Sequence, residues 1–173
     1  CMHGGISPHL KSLDDIRAIP RPLGDMTNCP LLADILWSDP AADHPNGMFS
    51  PNTTRGHSVY YGQEAVDDVI RLTGISCIVR AHQFICGGAA FYADRKVISI
   101  FSANSYNEEV RNHGACLHVD DKGRITIKSF FTSLFSDTIT KEQDMSLHHD
   151  FLNDDSWMSQ AGGAKNNDDT VDP

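Results

Sequence analysis

Four residues stand where they could do chemistry together. His3 precedes Gly4-Gly5, and glycines let a backbone approach an ion or ligand closely. His82 closes the apolar run "SCIVRAH", and Tyr106 follows a second apolar run, "VISIFSA". Arg55 stands before Gly56 in a stretch rich in turn formers. Imidazole nitrogen is a good ligand for Zn, Mn or Fe, and a guanidinium offers phosphate a planar fork of donors. Two histidines, an arginine and a tyrosine brought together would suit a phosphate held on a metal. Singly, each residue has an ordinary reading as well. His3 could sit in a turn, His82 on the rim of a core, Arg55 in solvent and Tyr106 beside its loop. Strand ends and the loops beyond them are where sheet-based enzymes carry their reactive groups.

The elements that must position these residues are legible in outline. "SLDDIRAI" predicts a helix from Ser12 to Ile19, capped by Ser12 and stopped by Pro20 and Pro22. "PLLADILWSDP" predicts a second helix, with Pro30 near its start. Residues 40–56 are rich in Pro, Asn, Gly and Ser, lack periodicity and predict a long loop. "GQEAVDDVIRLTG" carries a helical apolar stripe closed by Gly74. "SCIVRAH" predicts a buried strand, and "AAFYADRKVISIFSA" two strands turning at Asp94-Arg95-Lys96. "GACLHV" and "RITIKSFF" predict a hairpin joined by "DDKG". Helices first and strands after imply an α/β (α+β) fold: a helix-backed sheet, mostly antiparallel toward its C-terminal part.

Bulk properties narrow the function classes. The chain has 173 residues, 40% hydrophobic and 21% charged, an ordinary composition for one folded domain. Net charge is −9, which leaves no basic excess for binding nucleic acid. From Ser136 to Pro173 there are nine Asp/Glu against two Lys, a balance of −7, leaving −2 for the rest. This divides the chain into a near-neutral body, residues 1–135, and an acidic tail, 136–173, expected to be disordered. Within the tail, Met145–Trp157 could form a short docking segment, with Phe151, Leu152, Trp157 and Met158 set among acids. No apolar run approaches a membrane span and no secretory leader is visible. Five scattered cysteines without a CxxC pair read as free thiols in a reducing compartment, which gives the cytoplasm, or the nucleus, as the expected location.

"HGGISP", "LLADILWSDP", "TRG" before "YYG", "VRAHQ", "ISIFSANSY" and "HGACLHV" follow one another in an order with meaning. From Cys1 to about Phe131 the chain resembles the C-terminal half of a phosphoprotein-phosphatase catalytic domain, the Ser/Thr family of the type-1, type-2A and calcineurin enzymes. The resemblance implies the C-terminal portion of a metallophosphoesterase two-sheet β-sandwich flanked by helices. It implies that His3 and His82 ligate one metal of a binuclear centre (Mn, or Fe and Zn), that Arg55 binds the substrate phosphate, and that Tyr106 stands beside phosphate and metals. Asp39 would belong to the acidic rim of that site. Substrates would be phosphoserine and phosphothreonine proteins, with regulatory or targeting subunits as partners, and hydrolysis would use a metal-bridging hydroxide without a phosphoenzyme.

Departures from the pattern are equally specific. The family's GDxHG, GDxVDRG and GNHE motifs are absent; "GDMTN" at Gly24 shares two letters only. Two histidines cannot hold a binuclear centre, since each metal needs about four ligands. The chain alone is therefore expected to be inactive or nearly so, as a fragment of a longer phosphatase or a truncated relative. An interaction module that binds regulatory subunits without catalysis is the other expectation. "SANSY" has Asn104-Ser105 where the family has Pro-Asn, which leaves the backbone path to Tyr106 less fixed. "SPNTTRG" is more similar to the EF-hand-bearing branch than to the type-1 "ENDRG", although "DDKG" is no calcium loop. Without a further half, strands 77–82 and 97–101 are expected to expose apolar faces or edges, and the isolated chain to be marginal or aggregation-prone.

Overall fold

The computed structural model describes residues 1–22, 28–42, 46–106 and 111–131. The acidic tail and its proposed docking segment lie outside the described residues.

The helices start and stop where the local chemistry requires. α1 (Leu13–Arg17) opens with a capping box, in which Ser12 accepts from the Asp15 amide while Asp15 accepts from the Ser12 amide. Replacing Ser12 with alanine removes half of this box and should cost about 1 kcal/mol, measurable as a lowered urea midpoint. α2 (Pro30–Trp37) begins on the proline and ends as Ser38 turns extended. α3 (Gln63–Thr73) buries Ala65, Val66 and Val69 and is closed by Gly74 at φ +71°, donating to the Ile70 carbonyl.

Among the described residues, eight strands form three small sheets. β1 (Asp39–Pro40) runs parallel to β3 (Val59–Tyr61), and β2 (Phe49–Pro51) antiparallel to it, in the order β1-β3-β2. β4 (Ile78–Arg80) lies parallel to β6 (Val97–Ile100), which pairs antiparallel with β5 (Ala89–Tyr92). β7 (Gly114–Val119) and β8 (Ile125–Phe130) form the expected hairpin. Residues 40–56 are not one long loop, because β2 lies inside them. Three residues are too few to show a period, and β2 exists because β3 offers it a partner. Nor are helices and strands segregated: α3 connects strands of different sheets, and two of the pairings are parallel.

Two cores flank β6. Val97 packs with Ile6, Leu10, Tyr61, Ala65, Val66, Val69 and Ile78. Ile98, pointing the other way, packs with Ala115 and Ile127. The expected bare faces on strands 77–82 and 97–101 are thus largely covered, since Ile78, Val97 and Ile98 are buried within this chain. The free edge of β4 is covered too. The N-terminal segment lies along it, with the Met2 amide donating to the Val79 carbonyl and the Ala81 amide to the His3 carbonyl, both at 3.0 Å.

Candidate active site

His3 is delivered by a backbone that tolerates no side chain beside it. A Cβ on Gly4 would stand 2.5 Å from the Leu36 carbonyl carbon and 2.6 Å from the Trp37 nitrogen. One on Gly5 would overlap the Tyr61 ring. The Gly4 amide donates to the Ile35 carbonyl at 2.8 Å, so the chain runs flush against the end of α2.

His82 arrives from the other side. β4 ends at Arg80, and His82 then adopts φ +67°, a left-handed conformation uncommon outside glycine. This turn brings its Nδ1 to 3.1 Å from His3 Nε2, across 79 residues of sequence. The Trp37 ring packs edge-on against His82, with centroids 5.2 Å apart. Burial first, then the positive charge on Arg55, push the His82 imidazole down to about 4. It is neutral at pH 7, the form in which an imidazole nitrogen binds a metal.

Asp39 organises the remaining charge. It is 2% exposed and accepts from Arg80 Nη2 at 2.7 Å, Arg55 Nε at 3.0 Å and Asn52 Nδ2 at 3.0 Å. Burial opposes its ionisation, but the hydrogen bond from Arg55 and the charge on Arg80 outweigh that, so its carboxyl titrates below the ordinary aspartate range. Asp39 therefore does not line an acidic rim. Its oxygens are spent on two guanidiniums, which fix Arg55 in turn. Arg55 also reaches the His82 carbonyl with Nη2 at 3.5 Å and stays 27% exposed. Its amide is held by Asn52 Oδ1 at 3.0 Å.

Sequence reasoning passed over Arg80. Its side chain is fully buried, and beyond Asp39 it donates to the carbonyls of Gly4 (2.5 Å) and Ser38 (3.2 Å) and to Gln83 Oε1 (2.7 Å). One arginine thus ties His3's glycines, the end of α2, β1 and the His82 turn together. The available signal was a charged residue inside an otherwise apolar strand, since arginine is almost never fully buried without a partner. Asp34 was passed over as well; it is buried in α2 between Ser7 and Ser58.

The described ring contacts of Tyr106 are to phenylalanines, not to the histidine pair. Tyr106 is 63% exposed, with Phe101 and Phe84 beside it at centroid distances of 5.2 and 6.4 Å. Asn112 holds its backbone, accepting from the Tyr106 amide at 2.8 Å and donating to the Ala103 carbonyl at 2.7 Å. This fixes the loop in the absence of the proline that its sequence lacks.

Residues 1–86 match the family described as calcineurin-like phosphoesterase. The chain is 42% identical over 121 residues to the serine/threonine-protein phosphatase PP1-delta of Caenorhabditis elegans, covering 70% of this chain and 38% of that protein. A second serine/threonine-protein phosphatase of the same worm is 41% identical over 119 residues, covering 69% of this chain and 25% of that protein. A solved Saccharomyces cerevisiae protein serine/threonine phosphatase with similarity to human phosphatase PP5 superposes with a TM-score of 0.62 at 28% identity, covering 79% of this chain and 45% of that one. The chain belongs to the phosphoprotein phosphatase superfamily. It spans less than half the length of each of these relatives.

Membership of this phosphatase family implies divalent metals in general. The chain's own residues supply part of what they need. Two ring nitrogens face one another, and His82 Nε2 is buried without a partner among the described residues, so Nδ1 is the nitrogen that His82 turns toward His3. No group of three or more His, Cys, Asp or Glu able to hold a metal occurs among the described residues. His3 and His82 thus fit as two ligands of one metal rather than as a whole coordination sphere.

Proposed function

We propose that the chain contributes to the centre of a metal-dependent protein serine/threonine phosphatase, which hydrolyses phosphoserine and phosphothreonine. The observation that carries this reading is the convergence of His3 and His82 at 3.1 Å beside Arg55, in a chain of that family. His3 Nε2 and His82 Nδ1 would hold one divalent metal, Mn, Fe or Zn. A metal bound there would lower the pKa of bound water and polarise the phosphoryl oxygens. Arg55 would take the phosphate, because Asp39 occupies its Nε and a guanidinium keeps further donors for an anion. Tyr106 would bind substrate at the edge of the site, on the aromatic surface it shares with Phe84 and Phe101. With two imidazoles and no third ligand among the described residues, little or no turnover is expected from this chain alone. Phosphoproteins and regulatory subunits are the proposed partners. The cytoplasm or nucleus is the proposed location, supported by five unpaired cysteines.

The test is a Mn(II) titration followed by electron paramagnetic resonance, with inorganic phosphate added to the loaded chain. His3→Ala and His82→Ala should each weaken Mn(II) binding by at least about tenfold. Arg55→Ala should keep the metal and weaken phosphate by about tenfold, the order of a lost charge-assisted fork. Equal Mn(II) binding by wild type and the double histidine variant would overturn the metal assignment. A phosphothreonine peptide assayed alongside reports whether the chain turns over unaided.

A further inference from the structure

Asp34 makes no contact with His3, His82 or Arg55 among the described hydrogen bonds, yet it touches both loops that carry them. It sits on α2, 5% exposed. Its Oδ2 accepts from Ser7 Oγ at 2.6 Å, and its Oδ1 from Ser58 Oγ at 2.7 Å. Ser7 is four residues beyond His3 and Ser58 three beyond Arg55. Both bonds are short, as expected for hydroxyls donating to a carboxylate, which alone among small side chains offers each serine its own anionic acceptor.

The Ser58 end is held under strain. Ser58 has φ +66°, a left-handed conformation that serine does not favour. Its carbonyl accepts from the Asn52 amide at 3.1 Å, closing the turn that carries Arg55. Inside the turn, Asn52 accepts from the Arg55 amide through Oδ1 at 3.0 Å and from the Gly56 amide through its carbonyl at 3.1 Å. Asn52 fastens the turn to Asp39 at its near end, and Ser58 fastens it to Asp34 at its far end. Asp34 is also bonded to Ser7, whose hydroxyl accepts from the His9 amide at 3.1 Å and so shapes the chain that leaves the His-Gly-Gly segment.

We propose that Asp34 is a positioning residue, which locks the Arg55 turn to the His3 loop and thereby sets the distance between phosphate-binding and metal-binding groups. This rests on the phosphatase reading for the roles of those groups. Misplacing a binding group by about 1 Å can cost as much as a hundredfold, so a shared anchor has consequences it would not have in an ordinary core.

Two measurements on the full chain test it: amide hydrogen exchange by NMR, and titration of the Mn(II)-loaded chain with inorganic phosphate. In Ser58→Ala and Asp34→Ala, exchange at the Asn52, Arg55 and Gly56 amides should rise by about tenfold or more, while the α3 amides of Val66–Val69 keep their wild-type rates. Asp34→Asn, which retains one acceptor and gains donors, should fall between. Ser58→Ala should weaken phosphate about tenfold with Mn(II) affinity unchanged. Unchanged exchange at the three amides, or a rise shared equally by α3, overturns the lock. Local loosening with unchanged phosphate affinity overturns the positioning role. If wild type binds neither Mn(II) nor phosphate, the phosphatase reading fails, and the exchange rates still decide whether Asp34 fastens the turn. Should Asp34→Ala not fold, Ser58→Ala, which removes a single hydroxyl, carries the test.

Discussion

Asp39→Ala is expected to destabilise the fold by about 3–5 kcal/mol, the range for removing one partner of a buried ion pair. The side chain of Arg80 is wholly buried, and Asp39 is its ionic partner. Truncation strands that guanidinium in a low-dielectric interior with only neutral acceptors, the carbonyls of Gly4 and Ser38 and the side chains of Gln83 and Ser99. Arg55 adds less to the loss, since it is partly exposed and water can replace its partner. Asp39→Asn should recover part of the stability by keeping an acceptor. It should also remove a pH dependence with a definite sign. The Asp39 carboxyl titrates below the ordinary aspartate range in the folded protein, held there against burial by the hydrogen bond from Arg55 and the charge on Arg80. Its contribution is therefore complete above about pH 4 and is lost as pH falls through the lower folded value. Urea denaturation at stepped pH should show a gap between wild type and Asp39→Asn that is constant near neutrality and shrinks below pH 4. A gap that does not change with pH would mean that the carboxylate charge is not what holds the pair.

Gly4→Ala should be nearly as damaging, for a different reason. The new methyl would meet backbone atoms of Leu36 and Trp37 at 2.5–2.7 Å, and backbone cannot rotate away as a side-chain end can. Overpacking of this kind costs about 1–3 kcal/mol, and the upper end applies where the obstacle is a helix terminus. Gly74→Ala is the control. Gly74 has φ +71° and open space where its Cβ would be, so the variant pays only left-handed strain, about 1–2 kcal/mol. The two variants also separate functionally. Displacing Gly4 moves His3 and should weaken Mn(II) binding, whereas Gly74→Ala should leave it unchanged. Equal urea midpoints and equal Mn(II) affinities for the two variants would show that the clash is relieved without moving the histidine.

What the sequence reveals about this site follows the range of the forces involved. Local chemistry writes itself into short strings: the Ser12 cap, Pro30 at a helix start, Gly74 at a helix end and the β7–β8 hairpin were all legible. The histidines were legible as types and by the order of the motifs around them. Pairings made across distance were not. β1 and β2 are two and three residues long and exist through β3. The role of Asp34 depends on partners 24 and 27 residues away, and that of Arg80 on Asp39 and Gly4, 41 and 76 residues away. Asp39 could be read as part of the site, but only the fold reveals that its carboxylate faces inward, onto two arginines.

β6 contributes Val97 to one core and Ile98 to the other. Adjacent residues of a strand point to opposite faces, so a slip of one position in its pairing with β4 and β5 would send each valine and isoleucine into the wrong compartment. The turn at Ala93–Arg95, three successive residues with positive φ, pins that alignment. The strand behaves as a party wall: neither room can be emptied while the other stands, and the ground beneath His82, which β4 draws from the same sheet, holds or gives way as a whole.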